Sequence, residues 1–282
     1  MKVVKCKSPA KLNYRLDVLN KRQDGFHDLR MINSAITLFD EIEIELIEKG
    51  IEVECVGDET VPQGEGNIVY EVAKEILAYS NKNVGVKITI HKNIPSAAGM
   101  GGGSSNAAHV LMALNTMLKI NLPKDKLMKI GARFGADVPF FILEAPAIAE
   151  GVGDKLSRIK KMPKLPIVLV SPKLQVPTKW AFEMFEDAEA DNEDDDIPNQ
   201  FTTKKSVVRY MNNDLESVTL QKYPALNDIK AALTKLGALA SQMTGSGPTV
   251  FGIFPDQETA QNAHDRLKKI KDCRVFLVEN IN

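Results

Sequence analysis

The chain has 282 residues, with 36 lysine and arginine residues against 37 acidic ones, and it is 44% hydrophobic and 26% charged. This composition is typical of an ordinary soluble globular protein with room for two domains or one large one, and a net charge of −1 excludes a global attraction to nucleic acid or to anionic membranes. Its 3 separated cysteines exclude a disulfide framework and a cysteine-rich zinc site. Neither a signal-peptide pattern nor a membrane-spanning apolar run is found, so we expect a cytoplasmic protein with no nucleic-acid and no membrane partner.

Near the N-terminus, apolar and polar residues alternate between positions 12 and 18, which predicts a strand. Lys11 and Asn13 then share its more polar face, where a lysine is most often solvated. A turn-rich loop leads to Phe26 and His27, and on local grounds His27 is a satisfied loop histidine. This region alone therefore predicts no site.

Two alternating runs follow, at residues 42–46 and 51–55, and they predict an antiparallel hairpin with one wet, acidic face. Because such regular alternation is what a half-buried sheet requires, we interpret its glutamates as surface residues rather than catalytic carboxylates. Apolar residues at helical spacing between positions 68 and 79 predict a helix, and Asn67 is predicted to cap it.

The segment between Lys92 and Leu118 is the most informative part of the sequence. A predicted strand at residues 84–91 leads into four closely spaced glycines and then into an Ala-rich helical segment. A strand, a glycine loop and a helix start together form an anion site, because open amides and the helix dipole attract negative charge. Of Ser104 and Ser105, one can cap the helix while the other faces a phosphate or a magnesium ion. Although the loop lacks the usual phosphate-loop lysine, this pattern favours phosphate binding over a flexible linker.

Asp137 lies between a helix predicted to begin at Pro123 and an apolar run, residues 138–141, expected to form a strand. A lone aspartate in such a place is most often a cap or turn residue. A carboxylate held near a lysine can also keep a low pKa and accept a hydroxyl proton during phosphoryl transfer. Local physics leaves both roles open.

In the second half of the chain, residues 166–171 predict a buried strand and Thr178 begins a helix. Nine acidic residues between Glu183 and Asp196 predict a solvated, mobile loop. Helical spacing at residues 226–236 and 260–270, followed by a last strand, completes an α+β second domain.

A second Gly/Ser-rich loop contains Gly245 and Ser246 and runs into a strand. On local grounds, a tight turn without ligand contacts is as plausible there as a binding loop.

Several segments resemble one family. The run PSAAGMGGGSSNAA at residues 95–108 resembles the nucleotide-binding motif of the GHMP kinases. The segments SPAKLN at residues 8–13, DGFHDL at 24–29 and GADVPFF at 135–141 are similar to motifs of the GHMP branch that phosphorylates 4-diphosphocytidyl-2-C-methyl-D-erythritol. Residues 241–251 resemble the third GHMP motif.

The resemblance implies an α+β, two-domain GHMP kinase fold. Residues 1–157 would form a ribosomal-protein-S5-domain-2-like N-terminal domain, and residues 158–282 a ferredoxin-like C-terminal domain. The implied protein is an ATP- and Mg²⁺-dependent kinase, a monomer or weak homodimer. It would phosphorylate the 2-hydroxyl of a cytidine diphosphate-linked polyol, 4-diphosphocytidyl-2-C-methyl-D-erythritol, in the non-mevalonate isoprenoid route. The alternatives are a GHMP kinase for another small alcohol, such as homoserine or mevalonate, and a non-catalytic sensor relative. The presence of Lys11 and Asp137 argues against the sensor.

The resemblance also assigns roles. Asp137 is the implied catalytic base, and Lys11 the implied cation beside the acceptor hydroxyl. The implied ATP-binding residues are Asn67, Pro95, Ser96, Ala97, Ala98, Gly99, Met100, Gly101, Gly102, Gly103, Ser104 and Ser105, with Ser105 as a magnesium ligand. The implied substrate-binding residues are Asn13, Phe26, His27, Thr178, Phe182, Gly245 and Ser246, with Trp180 as an alternative to Phe182 at the cytosine. Phe26 stands where tyrosine is usual, so ring stacking is retained while any hydrogen bond of the hydroxyl is lost.

Overall fold

A computed structural model describes residues 3–80, 82–185 and 196–282. By their contacts, the described residues form two compact units. Unit 1 takes its residues from Met1–Ala10, Leu38–Ser96 and Gly101–Glu144, and unit 2 from Lys11–Thr37, Ala97–Met100 and Ala145–Asn282. These units are groups of contacts, and the boundary between residues 157 and 158 stays a prediction. Most of the acidic run, residues 186–195, lies outside the described residues.

The described residues form both strands and helices. The strands are β1 (Val3–Lys21), β2 (His27–Ile47), β3 (Ile51–Val56), β4 (Gly85–His91), β5 (Ala147–Gly151), β6 (Lys155–Arg158), β7 (Pro166–Pro172), β8 (Asn212–Asn213), β9 (Ala240–Met243), β10 (Val250–Ile253) and β11 (Cys273–Glu279). The helices are α1 (Ile68–Ala78), α2 (Gly102–Met117), α3 (Lys124–Gly131), α4 (Val138–Leu143), α5 (Thr178–Phe185), α6 (Lys204–Arg209), α7 (Glu216–Lys222), α8 (Ala225–Lys235) and α9 (Gln257–Leu267). In the ranges that the structure describes, no helix combines the length and the hydropathy needed to span a bilayer.

In unit 1, strand β4 lies between β2 and β3. It pairs antiparallel with residues 41–47 of β2 and parallel with β3. The hairpin predicted from the two alternating runs is therefore wrong: both runs are strands, but β4 separates them. The connection between them passes directly over Gly85, where an added Cβ would lie 2.3 Å from the Gly50 carbonyl oxygen. The next amide, that of Val86, donates to the same oxygen at 2.9 Å.

We expect Gly85→Ala to lower the free energy of unfolding by about 1–3 kcal/mol, because the added methyl group meets backbone that cannot rotate away. Urea unfolding followed by circular dichroism measures this difference. Gly103→Ala is the matched control, since the nearest atom to its added Cβ is 4.0 Å away. Equal unfolding midpoints for the two variants would contradict the close approach at Gly85.

The helices of unit 1 bury one face each. The predicted helix is present as α1, and it buries Val69, Val72, Ala73 and Ile76. Tyr79, at the end of the predicted periodicity, is exposed. Residues 138–141, expected as a strand, instead form the first part of α4. A proline in the first helical turn costs no hydrogen bond, because the amides of that turn have no intrahelical acceptor. The apolar run is therefore a buried helix and not a strand.

Unit 2 contains a four-stranded antiparallel sheet in the order β11-β7-β10-β9. Along the chain, β7 is followed by α5, α6, β8, α7 and α8, and then by β9, β10, α9 and β11, so a βαββαβ order remains when the insertion between β7 and α8 is set aside. This is the arrangement of a ferredoxin-like domain, so the predicted C-terminal fold is confirmed. Residues of α8 and α9, among them Leu226, Leu233 and Ala263, pack in one apolar cluster with Val168, Val170 and other residues of the sheet.

Candidate active site

The glycine loop ends at an open helix start in unit 1. Helix α2 begins at Gly102, and the residue before it, Gly101, has left-handed backbone angles of φ 68° and ψ 20°. No side chain caps the helix, so the prediction that a serine does so is wrong. Ser104 lies in the first turn, where the amides of residues 101–104 have no intrahelical acceptor. The Ser105 amide already donates to the Gly101 carbonyl at 2.9 Å. This start suits an anion.

Polar side chains tie this helix to the strands of unit 1. The Ser8 hydroxyl donates to Asn106 Oδ1 at 2.6 Å, and both residues are buried. Asp40 Oδ1 accepts hydrogen bonds from the amides of Asn93 and Ile94, each at 2.8 Å. The segment that leads into the glycine loop is therefore held by a completely buried carboxylate.

The turn that carries Asp137 lies beside the start of α2. A Cβ added to Gly135 would be 3.3 Å from Ser104 Oγ, and the amide of Val138 donates to the Gly135 carbonyl at 3.1 Å to close the turn. Asp137 precedes α4, but its half-buried side chain makes no cap hydrogen bond to that helix. The simple cap role considered from the sequence is therefore not what the structure has.

The two serines of the first turn differ. Ser104 is half-buried against Gly135, whereas the Ser105 side chain is completely buried and its hydroxyl has no hydrogen-bond partner among the described residues. Within those residues, no group of three or more His, Cys, Asp or Glu side chains could hold a metal ion. The magnesium role of Ser105 stays a prediction.

Asn67 caps α1, as expected from the sequence. Its Oδ1 accepts the Val69 amide at 2.9 Å, and its Nδ2 donates to the Pro62 carbonyl at 2.9 Å. Both the amide oxygen and the amide nitrogen of Asn67 therefore make hydrogen bonds, and a contact of this residue with the adenine stays a prediction.

Ser96 donates a hydrogen bond to the Asp58 carboxylate. Burial alone would raise the pKa of Asp58, but the hydrogen bonds from Thr60 and Ser96 outweigh this effect and lower that pKa.

In unit 2, the polar face of β1 is buried. Lys11 is only 5% exposed, and its Nζ donates to Asn13 Oδ1 at 2.8 Å, so the expectation of a solvated lysine is wrong. Asn13 Nδ2 in turn donates to Asn33 Oδ1 at 2.7 Å. The Lys11 amide donates to the Met100 carbonyl at 3.0 Å, which joins β1 to the glycine loop. The two residues share one face, as predicted.

The second Gly/Ser loop packs on the glycine loop, backbone against backbone. A Cβ on Gly99 would lie 2.2 Å from the Thr244 carbonyl oxygen, and a Cβ on Gly245 would lie 3.1 Å from the Gly99 carbonyl oxygen. The Thr244 hydroxyl accepts the Asn13 amide at 3.0 Å. Because only glycine permits these approaches, both loops and β1 fix one another within unit 2.

A group of aromatic side chains lies elsewhere in unit 2. Phe26 is 65% exposed at the tip of a turn held by Arg22 and Asp24. A hydrogen bond from Arg22 lowers the pKa of Asp24, helped by the amide of Phe26. The His27 ring stacks on Phe182, with centroids 5.4 Å apart and planes inclined by 20°.

Helix α5 contains Thr178, Trp180 and Phe182, three of the residues considered for substrate binding. The hydroxyls of Thr178 and Ser246 are 3.1 Å apart. Trp180 instead packs edge-on against Tyr223, with Lys222 Nζ 4.0 Å from its ring centroid. The structure therefore associates His27 with Phe182 and not with Trp180.

Sequence reasoning assigned no role to Asp40, Asn106 or Thr244. A signal for Asp40 was present, since it shares the strand face of Ile42 and Ile44, where a lone acid must be buried. The partners of Asn106 and Thr244 lie 98 and 231 positions away, and no local pattern indicates them.

Comparison with known proteins gives a consistent result. The family model "GHMP kinases N terminal domain" matches residues 67–145, and "GHMP kinases C terminal" matches residues 203–272. A protein of Geotalea daltonii named 4-diphosphocytidyl-2-C-methyl-D-erythritol kinase is 44% identical over 282 residues, which cover 100% of both chains. Its namesake from Geobacter sulfurreducens is 47% identical over 270 residues, 95% of this chain and 96% of the relative.

Solved structures agree in fold. A crystal structure of 4-(cytidine 5'-diphospho)-2C-methyl-D-erythritol kinase matches with a TM-score of 0.81 and 28% identity, over 99% of this chain and 100% of the other. Homoserine kinase from Cytophaga hutchinsonii has a TM-score of 0.75 at 18% identity, over 100% of this chain and 96% of the other, a likeness of fold alone. With full-length relatives above 40% identity and both family models matched in order, the chain belongs to the GHMP kinases, in the family of the 4-diphosphocytidyl-2-C-methyl-D-erythritol kinases.

Proposed function

We propose that this kinase transfers the γ-phosphoryl group of ATP to the 2-hydroxyl of 4-diphosphocytidyl-2-C-methyl-D-erythritol. The main support for this reaction is that the turn containing Asp137 lies beside the start of α2, with Gly135 packed against Ser104. A carboxylate near a helix start that suits phosphate is what phosphoryl transfer to an alcohol requires. The names of the full-length relatives support the choice of acceptor.

The phosphates of ATP would lie on the open amides between residues 98 and 104, at the start of α2, while the Ser105 amide is already bonded to the Gly101 carbonyl. Mg²⁺ would neutralise the β- and γ-oxygens. Magnesium keeps several waters and takes many of its ligands from phosphates, so a protein site without a carboxylate cage fits it. The buried, unsatisfied hydroxyl of Ser105 is the protein group that we assign to the ion.

Asp137 and Lys11 would act on the acceptor hydroxyl. Asp137 takes its proton as the hydroxyl oxygen attacks phosphorus, and the Lys11 ammonium stabilises charge on the transferring group. Asn13, which accepts a hydrogen bond from Lys11, fixes the position of that ammonium. Since the transition state of phosphoryl transfer is loose, positioning and electrostatics contribute most of the acceleration.

The cytosine of the substrate would bind to the aromatic residues of unit 2. Phe26 offers an exposed ring face, and His27 and Phe182 form a stacked pair. The Thr178 and Ser246 hydroxyls would contact the substrate near this base.

We expect Phe182→Ala to raise the KM for the cytidylyl acceptor about 10-fold or more, because a base–aromatic stack contributes about 1–3 kcal/mol. The KM for ATP should not change. Trp180→Ala is the matched control on the same helix, and it should leave both KM values within about 2-fold, since Trp180 packs on Tyr223 and Lys222. A larger effect of Trp180→Ala than of Phe182→Ala would transfer the stacking role to the tryptophan.

A coupled assay of ADP release tests the function itself. The diphosphocytidyl substrate, homoserine and mevalonate are compared as acceptors at equal concentrations with ATP and Mg²⁺. We expect turnover with the first acceptor alone, and ³¹P NMR of the product should show a new phosphomonoester on the 2-position. Turnover with homoserine or mevalonate alone would refute the proposed acceptor, and no turnover with any of them would support a sensor.

A further inference from the structure

A buried lysine lies against the start of α2. The side chain of Lys92 is 4% exposed and pairs with the completely buried Asp40. A Cβ added to Gly102, the first residue of α2, would lie 3.3 Å from Lys92 Nζ. The ammonium is therefore close to the backbone of the first helical turn, within unit 1.

This position is unfavourable for the isolated protein. The N-terminus of a helix carries a partial positive charge and favours anions, so a cation there is repelled. Burial adds to the cost of the charge. Local rules of this kind are broken mainly at functional sites. A bound phosphate would remove the conflict, because it would be attracted by the helix start and by the ammonium together.

The pair with Asp40 does not account for the lysine by itself. Asp40 Oδ1 already accepts the amides of Asn93 and Ile94, so Lys92 is a third donor to this carboxylate. An ammonium has three donors, and Asp40 is the hydrogen-bond acceptor that the described residues give to this one. The charge of this ammonium also acts on the Asp58 carboxylate and the Cys55 thiol. The donors that Asp40 does not accept are the ones that a phosphate at the helix start would accept.

We propose that Lys92 supplies the cationic charge of the nucleotide-phosphate site, in place of the lysine that the glycine loop lacks, and that Asp40 holds it there. The proposal rests on the proposed function, since it assigns a residue to the same ATP site. Asp40 acts as a positioning residue: it orients the Lys92 ammonium and fixes the segment that leads into the loop.

The test is a titration of the purified full-length protein with adenosine, ADP and ATP by calorimetry, with adenosine measured by competition where it binds weakly. In Lys92→Met the Kd values of ADP and ATP should rise about 10-fold or more, because hydrogen bonds to charged groups are stronger than those between neutral groups. The Kd of adenosine should stay within about 2-fold, as it lacks the phosphates. Lys87→Met, on the exposed side of β4, is the matched control and should change none of the three.

Because Lys92→Met leaves Asp40 buried without its cation, the variant can lose stability. The double variant Asp40→Asn, Lys92→Met removes both charges and keeps an oxygen for the two amides. Retained weak binding of ADP and ATP by this folded double variant would support the proposal. Recovery of wild-type affinity would overturn it, because the lysine would then serve only to neutralise Asp40.

Two further outcomes separate this inference from the proposed function. Equal weakening of adenosine, ADP and ATP in the variants overturns the inference alone, since the effect would then be structural. A wild-type protein that binds ATP no more tightly than adenosine overturns the phosphate site and the proposed function with it.

Discussion

Asp137→Asn is expected to lower kcat about 10²–10⁴-fold, the usual contribution of a positioned general base. Asparagine keeps the shape of the side chain and cannot accept the hydroxyl proton. ATP affinity and the unfolding midpoint should remain near the wild-type values, because Asp137 makes no cap hydrogen bond to α4. Steady-state kinetics with saturating ATP and acceptor, together with calorimetric ATP binding, measure the two quantities separately.

The matched control is Asp125→Asn, which removes an exposed aspartate from the first turn of α3 in the same unit. It should leave kcat unchanged. Near-normal turnover of Asp137→Asn would remove this residue from the mechanism, whatever the control shows.

Lys11→Met is expected to lower kcat about 10²–10³-fold, the cost of removing one charged group that stabilises the transition state. Methionine retains an unbranched apolar stem in the buried space but leaves Asn13 Oδ1 without the hydrogen bond from Lys11. The KM for ATP should change much less than kcat, because the ammonium is proposed to act mainly on the transferring group.

Lys7→Met on the same strand is the control for Lys11, since Lys7 is exposed. Circular dichroism melting of both variants separates a folding defect from a catalytic one. A folded Lys11→Met enzyme whose kcat is unchanged and whose KM alone rises would assign Lys11 to ground-state binding instead of catalysis.

Much of the fold could be predicted from periodicity. The strand before the glycine loop and the helices α1 and α2 were indicated by local patterns. Local patterns indicated only an α+β second domain, and its ferredoxin-like fold was implied by the family resemblance. The pairing of β3 could not be predicted, because alternation identifies a strand and its faces but not its neighbour. The run that became α4 is too short for periodicity to separate a buried helix from a strand.

The site was predictable where a motif occupies consecutive residues and much less so where distant segments meet. The sequence of the glycine loop is sufficient to predict an anion site, but it does not predict that Gly101 rather than a serine precedes α2. The burial of Lys11 depends on residues such as Asn33 and Thr244, which reach β1 from far along the chain. The Asp40–Lys92 pair joins residues 52 positions apart. The sequence signal for it is the position of Asp40 on an otherwise apolar strand face.

The position of β4 between β2 and β3 affects the order in which this sheet can fold, because both neighbours precede β4 in the chain. Strands β2 and β3 are both synthesised before β4, and in the folded sheet β4 lies between them. A hairpin of β2 and β3 formed before β4 is synthesised would be a kinetic trap, because it would use the backbone donors and acceptors that must pair with β4. Long-range pairing of this kind is expected to slow folding of the sheet. In the folded sheet, the absence of a side chain at Gly85 lets β4 lie against the Lys49–Gly50 connection.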